Sequence, residues 1–170
     1  MNWEAMGVIA EIVGAAGVII TLAYLAMQIK QNTNQLHGEA INTFNSSQIA
    51  LIIDFRDDAE LVSAFIKCAD NWESGSPQEQ ARTHAHALAY VLSFETGYNL
   101  WRSGALEGRI YKRREDLITF VLSPPGMRTW WSTWSNVFDP DFVERISQKV
   151  DAYSGNPLED IPFYRPEHWQ

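Results

Sequence analysis

The stretch Gly7 to Ile29 reads GVIAEIVGAAGVIITLAYLAMQI, and its only charged side chain is Glu11. A helix of 23 residues rising about 1.5 Å each is about 34 Å long, enough to cross a hydrocarbon core of about 30 Å with some tilt. Residues 1–30 are therefore expected to form a transmembrane anchor. A cleaved signal peptide would carry a basic segment and a shorter apolar core, whereas MNWEAM holds Glu4 and no Lys or Arg. A core helix of a soluble domain would need one apolar face, whereas every face from Ile12 to Met27 is apolar. Lys30 follows the span and no basic residue precedes it, so the positive-inside rule puts the remainder of the chain in the cytoplasm. Trp3 is placed to sit at the headgroup level.

Gly7, Ala10, Gly14, Gly17 and Thr21 recur at steps of three and four and so line one face of this helix with small residues. Membrane helices associate by close packing, because lipid tails supply no hydrophobic drive for pairing. The stripe points to homo-oligomerisation or docking on another membrane subunit. Glu11 lies about 10 Å from the midplane if the span centres near Val18, close enough for its carboxylate to reach the interface or stay protonated at modest cost. It is expected to be incidental.

The rest of the chain is one domain's worth of sequence and long enough to bury a core. Acidic residues outnumber basic ones 21 to 13, a net charge of −8. That balance argues against nucleic acid, whose phosphates need Lys and Arg in excess along a surface. Cys68 is the only cysteine, which excludes an intrachain disulfide and a multi-cysteine metal site and fits a reducing compartment. Asn45-Ser46-Ser47 matches a glycosylation acceptor but has meaning only outside the cytoplasm.

Local signals make this part helical throughout, so that the fold class is all-α: one N-terminal transmembrane helix, then a bundle of about five helices over 31–155. A helix is expected over Thr33 to Phe55, and another from a cap at Asp57 or Asp58 to about Trp72. Ser76-Pro77-Gln78-Glu79 combines a cap serine, a proline at the first helical position and a glutamate at the third, and opens a helix to about Ser103 that Gly104 stops. A further helix is expected over about Arg109 to Leu122, ahead of Ser123-Pro124-Pro125-Gly126. A tryptophan-rich segment from Met127 leads to Asp139-Pro140, a second cap-plus-proline start, and the last helix ends near Ser154. The tail, 156–170, carries three prolines with Phe163, Tyr164 and Trp169 and is expected to dock on this domain or a partner.

Trp3-Glu4, the Gly/Ala/Ile/Val span with the polar run Gln28 to Asn34, Phe94-Glu95 with Tyr98 and Gly104, and Ser123-Pro124-Pro125-Gly126 leading to Trp130-Trp131 together give a pattern. It resembles a family of small bacterial proteins, uncharacterised in activity, with an N-terminal membrane anchor and an all-helical body. The resemblance covers most of the chain through short motifs. It implies a bacterial, membrane-anchored helical protein and brings no activity with it; with the expected topology, the location is the bacterial inner membrane.

Motifs that would name a chemistry are missing: there is no G-x-G-x-x-G, P-loop, H-E-x-x-H, G-x-S-x-G or C-x-x-C. His84 and His86 point about 200° apart on a helix and cannot share a metal within one turn. No metal, cofactor or catalytic residue is assigned. Glu95 is the leading polar candidate, because His84, Leu88, Val91, Glu95, Tyr98 and Arg102 follow at helical spacing through an apolar run. If that face is inward, Glu95 is a buried carboxylate needing donors, with Arg128, a tryptophan N–H or Arg102 in reach of the sequence pattern. Trp130, Trp131 and Trp134 read as core or interface anchors. Arg109, Lys112, Arg113 and Arg114 are the one basic cluster, suited to an anionic membrane surface. Glu107, Glu115 and Asp116 flank it and favour a solvated helix face. The expected function is a membrane-anchored scaffold or accessory subunit acting by association with the bilayer and protein partners. The alternative is a tethered enzyme or small-ligand-binding bundle centred on Glu95.

Overall fold

The computed structural model describes residues 3–155, and the aromatic tail lies outside them. Six α-helices account for the architecture: α1 (Trp3–Asp57), α2 (Ala59–Asp70), α3 (Pro77–Arg102), α4 (Gly108–Leu122), α5 (Pro125–Trp134) and α6 (Pro140–Ala152). Short 3-10 turns cover Trp72–Ser74 and Ser135–Val137. The described residues contain no strand. They fall into two units that divide between Ala40 and Ile41.

Within the first unit, α1 is apolar on all sides and its large side chains are exposed, among them Ile9 (62%), Ile12 (63%), Val13 (65%) and Ile20 (69%). The helix continues without a break through the polar stretch after Lys30 to Asp57.

The second unit is built on local signals that act where they stand. Asp58 caps α2 by accepting the Leu61 N–H at 2.9 Å. The helix stops at Asp70, short of Trp72, because Asn71 turns to an extended conformation and its side chain takes the Glu73 N–H to start the 3-10 turn. At the head of α3, Ser76 and Glu79 form a reciprocal capping box with Pro77 in the first turn. Lys67 foremost, then the Ser76 backbone N–H, hold the Glu79 carboxyl down at about 2. Gly104, at φ +77°, takes the left-handed turn that ends α3, and the N–H groups of Ala105 and Leu106 close back on the Leu100 carbonyl. Asp139 opens α6 by accepting from the N–H groups of Asp141 and Phe142.

The tryptophan-rich segment is itself a helix, α5. Ser-Pro-Pro-Gly both stops α4 and starts α5, since Pro124 takes the cap position and Pro125 the first turn. Gly126 lets the start of α5 lie directly on the end of α2: a Cβ there would overlap the Cys68 carbonyl oxygen and stand 2.7 Å from the Trp72 nitrogen. The core draws Phe65 from α2, Val91 and Phe94 from α3, Ile118 and Leu122 from α4, Met127 and Trp130 from α5, and Phe142 and Ile146 from α6. Phe44, from the later part of α1, closes on Gly97 of α3, where a Cβ would meet its ring at 2.8 Å.

Candidate functional site

The small-residue stripe forms a bare face. Gly7, Ala10, Gly14, Gly17 and Thr21 are all exposed, and a Cβ added at any of the three glycines would meet nothing within 4 Å. Thr21 donates its hydroxyl to the Gly17 carbonyl at 2.8 Å. Its one polar group is thereby satisfied inside the helix.

Glu95 is half-buried rather than buried, and none of the donors expected for it reaches it. It accepts the backbone N–H of Asp139 at 2.5 Å. Arg102 pairs instead with Asp141 at 2.9 Å. Arg128 donates to the Ser123 and Tyr153 carbonyls, Trp130 to His84 Nδ1 at 3.0 Å, and Trp131 to the Ser147 hydroxyl at 2.9 Å. The carboxylate thus ties the middle of α3 to the first turn of α6, where negative charge is favoured by the helix dipole.

The basic cluster splits. Arg109, Lys112 and Arg113 are exposed on α4, and Arg109 pairs with Glu107 at 3.3 Å. Arg114 turns inward, donates to Asn45 Oδ1 at 3.1 Å and lies over the Phe44 ring at 5.7 Å. Asn45, in the glycosylation triplet, is therefore half-buried within a helix and engaged by an arginine.

The buried carboxylate of the domain is Glu115, whose side chain is 1% exposed. Arg145 Nε and Nη2 donate to it, and Lys149 Nζ lies 2.7 Å from its second oxygen. Arg145 also sits 4.9 Å from the centre of the Trp101 ring, which stacks on Tyr111 at 4.8 Å and 6°. The hydrogen bond from Arg145 to Glu115 raises the guanidinium pKa. Burial pulls Lys149 down, but Glu115 and Asp116 together outweigh it and hold its ammonium above the ordinary lysine value. Burial, reinforced by the Glu115 charge, pushes the Tyr111 phenol up. The two cations and one carboxylate are a clamp of α4 on α6 with no unspent reactive group. Tyr111, Glu115, Ile118 and Leu122 share one helix face, a spacing that could have marked Glu115 as inward.

The two histidines diverge. His84 lies 4.4 Å from Trp134 and accepts from Trp130, which leaves its proton on Nε2. His86 stacks on Phe55 at 5.0 Å and borders an apolar cavity of about 110 Å³. That cavity, which Glu95 does not line, is walled by side chains of α1, α2, α3, α4 and α5. Among the described residues no three His, Cys, Asp or Glu side chains converge as a metal set. Comparison of the chain with protein-family models, with curated proteins and with solved structures finds no match in any of the three.

Proposed function

We propose that this is a single-pass membrane protein that acts by association, a scaffold or small accessory subunit held at the bilayer by the N-terminal part of α1. The observation that carries this reading is the uncovered apolar segment: none of the most apolar 18-residue window of α1 is buried. A core helix would have its apolar side chains covered, whereas lipid is the natural cover for a helix apolar all round. The stripe from Gly7 to Thr21 offers the close approach that a second helix needs, either from another copy or from another membrane subunit. The helical domain lies on the cytoplasmic side of a bacterial inner membrane in this reading, with Lys112 and Arg113 free to face an anionic leaflet. The alternative built on Glu95 is disfavoured, because that carboxylate is spent on a backbone N–H and stands apart from the apolar cavity. Alkaline carbonate extraction of the full-length protein tests the anchor. Retention in the membrane pellet is expected, and release to the supernatant would overturn the proposal.

A further inference from the structure

We propose that the apolar cavity beside His86 is a binding site for a small, neutral, single-ring aromatic molecule carrying one hydrogen-bonding group. The cavity opens to the surface and holds about 110 Å³. Leu51, Phe55, Phe65, Val91, Leu122 and Met127 wall it. Apart from His86 and Tyr90 the lining is apolar, which favours a mostly apolar guest over water. The volume is somewhat below the about 150 Å³ of an engineered apolar cavity that takes up benzene. Ile52, which lines the cavity beside His86, is exposed and leaves room for a substituent to project.

Two features narrow the guest to an aromatic. The rings of Phe55, His86 and Tyr90 lie in a staggered stack, His86 against Phe55 at 29° and against Tyr90 at 19°, with Phe65 edge-on to both Phe55 and His86. A flat ring continues such an arrangement better than a branched aliphatic group does. The His86 imidazole makes no hydrogen bond among the described residues, so a polar group stands ready in a mostly apolar wall. Burial keeps that imidazole neutral, and Asp54 is the charged group that acts on it. The Asp54 charge that acts on His86 disfavours an anionic ligand beside it, so the site favours a neutral molecule such as a phenol.

The test uses full-length protein in lipid nanodiscs with 13C-methyl-labelled methionine. Phenol should shift the Met127 methyl resonance along a saturable curve, while Met6 and Met27 in the apolar part of α1 follow only the linear partitioning of phenol into lipid. Filling the cavity with Val91→Phe should abolish the saturable shift. His86→Leu should weaken phenol about tenfold, the loss of one hydrogen bond, and leave benzene unchanged. A Met127 response that tracks Met6 and Met27 would overturn the proposal. So would a saturable shift that survives Val91→Phe, or equal losses of phenol and benzene on His86→Leu.

Discussion

Glu95, in the middle of α3, accepts the backbone N–H of Asp139, and Asp139 in turn caps the first turn of α6. One carboxylate therefore fixes the residue that fixes a helix. Glu95→Ala leaves the half-buried Asp139 N–H without its acceptor and should cost about 1 to 3 kcal/mol. Glu95→Gln should be milder, since the amide oxygen accepts in nearly the same place. Thermal unfolding of the full-length protein reads both, and unchanged melting in the two variants would remove the structural role assigned to this contact.

Glu115 carries a larger consequence. Glu115→Ala takes the shared acceptor from Arg145 and Lys149, but both cations reach solvent and Lys149 keeps Asp116, so the loss should be about 2 to 3 kcal/mol, set by the lost charge-assisted hydrogen bonds and the space left behind. Arg145→Met, which keeps the packing on Trp101 and leaves Lys149 as countercharge, should cost less. Denaturant titration of both variants ranks them, and the reverse order would mean that the stacking on Trp101 matters more than the charge.

Much of this architecture is written locally. Ser76-Pro77-Gln78-Glu79, Asp139-Pro140 and Gly104 are read correctly because each acts within one turn of where it stands. Glu95 is placed on α3, but its partner is a backbone N–H 44 residues away, and no spacing rule reaches that far. Glu115 is masked by its charged neighbours although its face is apolar. The cavity at His86 is built by five helices. It exists only in tertiary packing. The tryptophan-rich segment is missed as a helix because its prolines read as a loop when they are in fact a cap and a first turn.

At Gly126 the backbones of α5 and α2 approach so closely that a side chain has no room. Gly126→Ala drives a Cβ into the Cys68 carbonyl and the Trp72 backbone, which cannot yield as a side-chain end would. A loss of about 3 kcal/mol or more is expected, at the upper end of overpacking costs. A melting temperature equal to that of the parent protein would show that α5 can slide away from α2.

Acid should weaken the domain through His86. Burial holds its imidazole below the ordinary 6.5, with Asp54 opposing that shift, so the folded state binds this proton less readily than the unfolded chain. The stability that depends on a neutral His86 is complete above the unfolded value and drains away as pH falls below it toward the lower folded one. Denaturation midpoints at about pH 7.5 and about pH 5.5 should therefore fall further apart in the parent protein than in His86→Phe. Equal slopes would place the acid-sensitive group elsewhere.

The bare face of α1 yields the prediction that bears most directly on function. Gly14 and Gly17 meet nothing within 4 Å, so each can accept a side chain without disturbing its own helix. Leucine at both positions would push a neighbouring helix away, because close packing of backbones is what holds membrane helices together. Gly14→Leu with Gly17→Leu should weaken self-association or partner co-purification of the detergent-solubilised protein, while Ala16→Leu, on a largely opposite face, should leave it intact. All three changes keep the segment apolar, so membrane insertion is unaltered and the comparison isolates packing. If the double variant and Ala16→Leu behave alike, the stripe plays no part in association and the partner surface must be sought on the helical domain.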